Sequence, residues 1–374
     1  MALDYAGRIA RLQELLRREH TALAIFAGTD QMQYLTGWRE GGHERFVGLF
    51  VPAQGEAAFL VPAMNSRQAQ ANHAGITEAL GWKDETGWTA LAQTLLTSYA
   101  VGAGDIVLVD NELHSVHLLA LQQMAPGVAF QPAGQAMTAL RQLKSEDELI
   151  ALETAAKLID TIFEEAVAEL REGMKESDVA DFVHAACKRY NTSVSFSPLI
   201  CFGANGSHPH HHTGATKLKR GDMVIIDIGC LWEHYASDIT RTISFGEPSD
   251  PEARKIYNVV SAAHWAARDA AKPNSNGEIV DAAARRVIAE AGYGEYFVHR
   301  TGHGIGLSTH EPPDMVAGSL TPLAPGMCFS IEPGIYLPER FGVRIENIVT
   351  VTADGVRSLN ADPDRELRII KTEK

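Results

Sequence analysis

The feature that most constrains this chain is a set of carboxylates that end apolar runs. Met223-Val-Ile-Ile closes on Asp227, and Cys328-Phe-Ser-Ile closes on Glu332. Short runs of this kind read as buried strands. Each delivers its terminal carboxylate into the interior, where a charge must be neutralised, paired or bound to metal. Glu346 lies in Arg344-Ile-Glu-Asn, read here as part of a strand, and Asp238 follows Asp227 by eleven residues at the start of Ile239–Phe245. His303 sits among glycines in Gly302-His-Gly-Ile-Gly306. Taken singly, each acid could cap a turn or face water, and the histidine could be a loop residue. Taken together they are a ligand set. Arg241 and Arg344 are the only basic residues close in sequence, so four converging carboxylates call for two divalent cations rather than one. Oxygen donors with one imidazole suit Mn²⁺, Co²⁺ or Fe²⁺, with Zn²⁺ left open.

The order of segments predicts two domains, with a boundary near Pro132–Ser145. Residues 1–133 alternate helical and strand-like signals. The apolar stripe Ile9, Leu12, Leu15 and Leu16 predicts a first helix. Strands are expected at Ala22–Ala27, Phe46–Val51, Ala57–Val61 and Ile106–Val109, with Gly55-Glu56 as a hairpin turn. Helices are expected near Ser66–Ala74, Trp88–Tyr99 and Ser115–Met124. This predicts a small α/β domain. Gln131-Pro-Ala-Gly reads as a loop, after which Ser145-Glu-Asp-Glu148 is a capping box that opens a long helix.

Residues 134–374 then continue with a helix at Ser177–Tyr190 and strands at Ser195–Phe202, Met223–Ile228 and Ile239–Phe245. Helices at Pro251–Ala271 and Gly277–Ala291 lead to strands at Met327–Ile331, Val343–Val351 and Val356–Leu359. Strands beside helices without regular βαβ alternation predict an α+β domain with a mostly antiparallel sheet.

Composition removes several classes of function. The formal charge of −14 disfavours nucleic acid and anionic membrane as partners. No run approaches the ~20 apolar residues of a spanning helix. Met1–Arg8 lacks the apolar stretch of a secretory signal. Cys187, Cys201, Cys230 and Cys328 show neither metal-finger nor paired spacing, which predicts reduced thiols and a cytoplasmic protein.

Five segments carry a family resemblance: Asp227-Ile-Gly, Ser237-Asp-Ile-Thr-Arg-Thr242, His303-Gly-Ile-Gly-Leu307, Ile331-Glu-Pro-Gly-Ile-Tyr336 and Arg344-Ile-Glu-Asn347. Together they resemble the pita-bread metallopeptidases, the group of prolidases, aminopeptidase P and methionine aminopeptidases. The resemblance implies a pseudo-symmetric catalytic domain with two metal ions, most readily Mn²⁺, held by Asp227, Asp238, His303, Glu332 and Glu346. It implies that His210, seventeen residues before Asp227, faces the metals and the substrate. His310, seven after His303, would hydrogen-bond the scissile carbonyl as it becomes an oxyanion. Glu332 would also relay a proton. His299, Tyr336 and Arg344 are candidate substrate contacts or supports, and His211 and His212 are expected to be structural or exposed.

A separate N-terminal domain sets the chain apart from methionine aminopeptidases and likens it to prolidase, aminopeptidase P and creatinase. In that group the domain helps to form a homodimer and closes over the neighbour's site. The segment Tyr34–Arg45 is the candidate closing loop, with Arg39 as a substrate contact and Gly37, Gly41 and Gly42 as flexible points. The expected function is hydrolysis of the bond preceding proline in a small peptide, as an Xaa-Pro dipeptidase. The alternatives are an aminopeptidase P acting on longer peptides, a creatinase-like C–N hydrolase, and a non-catalytic binding module. Some short prolidases of the group carry an arginine four residues after the histidine that matches His310; this chain has Asp314 there.

Overall fold

The computed structural model describes residues 3–41 and 43–371, so Gly42 and the first two residues lie outside the description. The chain folds as two compact units, Met1–Arg141 and Gln142–Lys374.

The first unit runs α1 (Tyr5–Arg18), β1 (Leu23–Phe26), α2 (Asp30–Thr36), β2 (Gly48–Pro52), β3 (Ala58–Pro62), α3 (Ser66–Gln70) and β4 (Glu78–Trp82). It continues with α4 (Thr89–Ser98), β5 (Ile106–Val109), α5 (Ser115–Met124), β6 (Ala129–Pro132) and α6 (Gly134–Arg141). The six strands form one mixed sheet in the order β4-β3-β2-β1-β5-β6. Its centre is apolar: Leu23, Ile25, Phe50, Leu60 and Val107 pack against Leu95, Leu96 and Leu121. The β2–β3 hairpin turns through Gly55, whose φ of +102° suits a residue without Cβ.

Three elements depart from the sequence expectation. The Gln131-Pro segment is not a loop but belongs to β6, an edge strand, where proline costs no ladder hydrogen bond. Tyr34–Thr36 ends helix α2, which Thr29 caps by accepting from the Gln31 amide and Gly37 closes in the left-handed region. The helix expected near Ser66–Ala74 shortens to five residues, and Asn72 satisfies the Ala74 and Ile76 amides with its own side chain.

The second unit begins with α7 (Glu146–Ala168) and α8 (Glu176–Arg189). The predicted capping box is present: the Ser145 hydroxyl accepts from the Glu148 amide, and the Glu148 carboxylate accepts from the Ser145 amide. Strands β7 (Leu199–Phe202), β8 (Met223–Ile228), β9 (Leu231–Trp232), β10 (Tyr235–Ala236) and β11 (Ile239–Phe245) follow. Helices α9 (Ala253–Ala270) and α10 (Gly277–Glu290) lead to β12 (Gly302–Gly304), β13 (Glu311–Met315), β14 (Cys328–Ile331), β15 (Gly334–Leu337) and β16 (Phe341–Arg344). The unit closes with β17 (Asn347–Val351), β18 (Val356–Ser358) and β19 (Ile369–Ile370).

One sheet has the order β19-β11-β8-β7 and another β13-β12-β14-β17-β18, while β15 pairs with β16. All of these pairings are antiparallel except β11 with β19. Helices α7 and α8 cover the first sheet through Ile159, Phe163, Val179 and Val183; α9 and α10 pack against the second part through Ile256, Val260, Val280 and Ile288. The architecture is α+β, as expected. The single strand expected over Val343–Val351 is instead two strands in different sheets, with Ile345 and Glu346 at the switch. The Glu346 amide donates to the Thr240 carbonyl at the switch, so the break carries its side chain toward β11 without orphaning the backbone. Among the described residues no helix is long and apolar enough to cross a membrane.

Candidate metal centre

Strand ends from both sheets converge on one cavity of about 710 Å³ within the second unit. Asp227 comes from β8, Asp238 from the residue before β11, His303 from β12, Glu332 from the residue after β14 and Glu346 from the switch after β16. All five line the cavity. Their donor atoms form overlapping groups whose members lie within 4.8 Å of one another: Asp227 with Asp238 and Glu346, and His303 with Glu332 and Glu346. Asp238 and His303 form a third such group with His310.

The hydrogen bonds around this set fix each donor. His303 donates from Nδ1 to the Gly304 carbonyl at 3.1 Å, so its Nε2 presents a lone pair toward Glu332 Oε1 at 3.3 Å and Asp238 Oδ2 at 3.8 Å. Ser330 accepts from the His303 amide and donates to Glu332 Oε1, both at 3.0 Å. Thr240 donates to Glu346 Oε2 at 2.7 Å. Arg344 donates to Asp227 Oδ2 at 2.6 Å. One oxygen on each of Asp227, Asp238 and Glu346 is buried without any hydrogen-bond partner. A buried carboxylate oxygen without a donor is costly, and three of them, on acids that bring donor atoms within 4.8 Å of one another, fit divalent cations. Hard oxygens plus one neutral imidazole nitrogen suit Mn²⁺-type ions.

The electrostatics agree with that donor set. Burial, then repulsion from Glu346, Asp227 and Glu332, pushes the Asp238 carboxyl far above its ordinary range. Burial and the Glu332 and Asp227 charges do the same to Glu346, and burial raises Glu332. His303 is pushed down to about 4, chiefly by burial. His310 is also pushed down to about 4, by burial and then by His303. Both imidazoles are neutral at pH 7.

The other expected site residues fall in three places. His210, His299, His310 and Arg344 line the cavity. His310 lies against His303, with ring centroids 4.0 Å apart. It precedes Glu311, whose carboxylate meets Lys144 Nζ at 2.7 Å in an almost fully buried ion pair. Tyr336 is not among the lining residues; its hydroxyl meets His299 Nε2 at 2.8 Å and accepts from Arg344 Nη1 at 2.9 Å. Arg39 belongs to the first unit, where it pairs with Asp30 at 2.5 Å beside a separate cavity of about 220 Å³.

Sequence reasoning missed several supports. Glu176 is fully buried and accepts from the Phe202 and Gly214 amides and from Asn205, and it meets His211 Nε2 at 2.9 Å. It therefore braces the histidine-rich loop that carries His210, and His211 is structural. Ser330 and Thr240 were signalled only by hydroxyls interrupting apolar strands. Arg300 lines the cavity as well and pairs with Asp314 at 2.6 Å. Its signal was adjacency to His299. Phe196, Leu199 and Pro209 give the cavity an apolar side.

A model of metallopeptidase family M24 matches residues 151–353, and one of the creatinase/prolidase N-terminal domain matches residues 8–143. "Probable dipeptidase PepE" of Mycobacterium tuberculosis is 40% identical over 346 residues, covering 91% of this chain and 90% of the relative. The structure of dipeptidase PepE from Mycobacterium ulcerans superposes with a TM-score of 0.91 at 37% identity, over 98% of each chain. That of a prolidase from Thermococcus sibiricus gives 0.93 at 32% identity, over 99% of this chain and all of that one (100%). The chain belongs to metallopeptidase family M24 as an enzyme of the dipeptidase and prolidase type, its α+β pita-bread catalytic unit preceded by a creatinase/prolidase N-terminal domain.

Proposed function

We propose that this enzyme hydrolyses the peptide bond preceding proline in dipeptides, using two divalent cations held by Asp227, Asp238, His303, Glu332 and Glu346. The observation that carries the reading is the set of partnerless carboxylate oxygens beside an apolar wall of Phe196, Leu199 and Pro209. A proline ring has an apolar face to lay on that wall. Its tertiary amide offers no N–H, so no acceptor is needed at that point. The prolidase among the relatives supports the same substrate class.

When bound, the cations supply Lewis acidity that lowers the pKa of water and polarises a carbonyl, and Mn²⁺ is the ion to load first. The chain's own groups do the rest. Glu332, raised in pKa and steadied by Ser330, takes a proton from the attacking water. It returns that proton to the proline nitrogen as the C–N bond breaks. The neutral imidazole of His310 donates to the carbonyl oxygen as it gains charge, and His210 donates beside it. Arg344 positions rather than reacts: its guanidinium binds Asp227, Tyr336 and the Pro209 carbonyl next to His210. All four cysteines are free and buried, which supports a reducing, cytoplasmic setting. Arg39 is assigned a substrate contact and the enzyme a homodimeric state on the strength of the resemblance.

The test is steady-state hydrolysis by the Mn²⁺-loaded enzyme of an Xaa-Pro dipeptide beside the matching Xaa-Ala dipeptide. We expect kcat/KM for the proline substrate to be larger by at least about tenfold, as a ring-sized apolar contact supplies. Equal rates would reduce the reading to a dipeptidase without proline specificity.

A further inference from the structure

Lys144 and Glu311 form an ion pair outside the cavity lining, with Nζ and Oε1 2.7 Å apart and side chains only 1% and 7% exposed. Taking two charges out of water offsets most of what their attraction gains, so an apolar pair of similar size would hold the fold about as well. Stability therefore does not account for the pair, and its place in the fold does.

Glu311 opens β13 directly after His310. Successive side chains of an extended chain point to opposite faces, and here His310 lines the cavity while Glu311 does not. Two glycines of the Gly302–Gly306 segment make room for Glu311. A Cβ on Gly304 would lie 2.3 Å from the Glu311 carbonyl oxygen, and one on Gly306 would lie 2.6 Å from its carboxylate. Lys144 is held from the other side. Its amide donates to the Gly326 carbonyl at 3.0 Å, and the Gly326 amide donates to the Val351 carbonyl of β17 at 3.1 Å. The pair thus ties the start of β13 to the segment that enters β14, two strands away in the same sheet. The His310 imidazole itself has no hydrogen-bond partner among the described residues, and it lies against His303 with ring centroids 4.0 Å apart. Its aim is set by that contact and by the backbone that Glu311 anchors.

We propose that the buried Lys144–Glu311 pair positions His310, fixing the backbone at the start of β13 so that the imidazole meets the carbonyl oxygen as it gains charge. The proposal rests on the peptidase reading given above, in which His310 is that donor. Lys144 and Glu311 touch no reacting atom and act only through His310.

The experiment measures kcat and KM on Ala-Pro, together with bound Mn²⁺ and melting temperature. It compares the Mn²⁺-loaded wild type with Lys144→Met/Glu311→Gln, with His310→Ala and with the variant combining all three changes. Replacing both partners leaves no orphaned charge, so Lys144→Met/Glu311→Gln should fold and hold its metal. A donor misplaced by about 1 Å costs roughly 10²-fold. Turnover should therefore fall by about that factor with KM changed less than about twofold, as for a contact made only in the transition state. In the His310→Ala background the same two substitutions should cost less than about twofold more, because the imidazole they act through is gone. Equal losses in both backgrounds, or an undiminished kcat in Lys144→Met/Glu311→Gln, overturns the assignment and leaves the peptidase reading standing. Loss of fold or of metal in that variant makes the pair a structural strut and overturns it equally. A His310→Ala enzyme as fast as wild type removes the role of His310 and the positioning role with it. A wild type inert toward Ala-Pro overturns the peptidase reading itself.

Discussion

Asp238→Asn should abolish hydrolysis while making the metal-free protein more stable. Asp238 is 4% exposed, one of its oxygens has no partner, and it belongs to two of the three ligand groups in the cavity. Its carboxyl is raised by burial and by three neighbouring acids. Asparagine keeps the shape and removes one of the mutually repelling charges. With no cation bound, that change relieves strain, and the melting temperature of the chelated protein should rise by a few degrees. With metal supplied, losing one ligand position is worth several kcal/mol of transition-state stabilisation, so kcat/KM should fall by about 10³-fold or more. The two effects have opposite signs, which no folding defect imitates. Calorimetry of the chelated variant and kinetics of the Mn²⁺-supplied one check both arms. Near-normal turnover, or a chelated variant less stable than wild type, would count against the ligand role.

The metal-free enzyme should lose stability as pH rises from 6.5 to 8.5, and added Mn²⁺ should restore most of that loss. Asp238, Glu332 and Glu346 have folded pKa values raised above their ordinary ones, chiefly by burial. Groups of this kind stabilise the fold fully below the unfolded pKa and lose that contribution as pH rises through the folded one. His303 and His310, depressed to about 4 from 6.5, act in the opposite sense, and so does His264, depressed to about 3 by burial. Their contribution is present above 6.5 and is lost as pH falls from there toward 4. Above pH 6.5 only the carboxylates are left to vary among these groups, which fixes the sign. The melting temperature of the chelated protein should drop on the order of 5 °C across the window. The Mn²⁺-loaded protein should be nearly flat, because cations then take the place of the protons. A chelated protein that is stabilised as pH rises would contradict the arrangement of acids.

Much of the site was legible because burying charge is so unfavourable that it marks the sequence. Asp227 and Glu332 end runs of Ile, Val, Met and Phe, and nothing but a partner or a metal explains acids there. The capping box at Ser145 and Glu148 was equally readable, since it is a local pattern with local hydrogen bonds. What escaped was set by neighbours distant in the chain. Strands β4 and β6 lie at sheet edges and are partly exposed, so they carry no continuous apolar run. The sheet switch at Ile345 and Glu346 is hidden because Val343–Val351 carries β-branched residues on both sides of it and reads as one strand. It breaks only because Glu346 is drawn to Thr240 and Arg344 to Asp227. Glu176 looks like an ordinary acid in the first turn of α8, and its role in bracing residues 202–214 exists only in three dimensions. Arg300 and Asp314 are separated by β12 and the loop after it, and their pairing appears only once the β12–β13 ladder has formed.

The most direct test of the dinuclear account is a count of tightly bound Mn²⁺ per chain, by metal analysis of enzyme loaded and then dialysed at pH 7.5. The account predicts two ions per chain in the active wild type, as four carboxylates and one imidazole require, and fewer in Asp238→Asn. A fully active enzyme holding a single ion, or none, would contradict it.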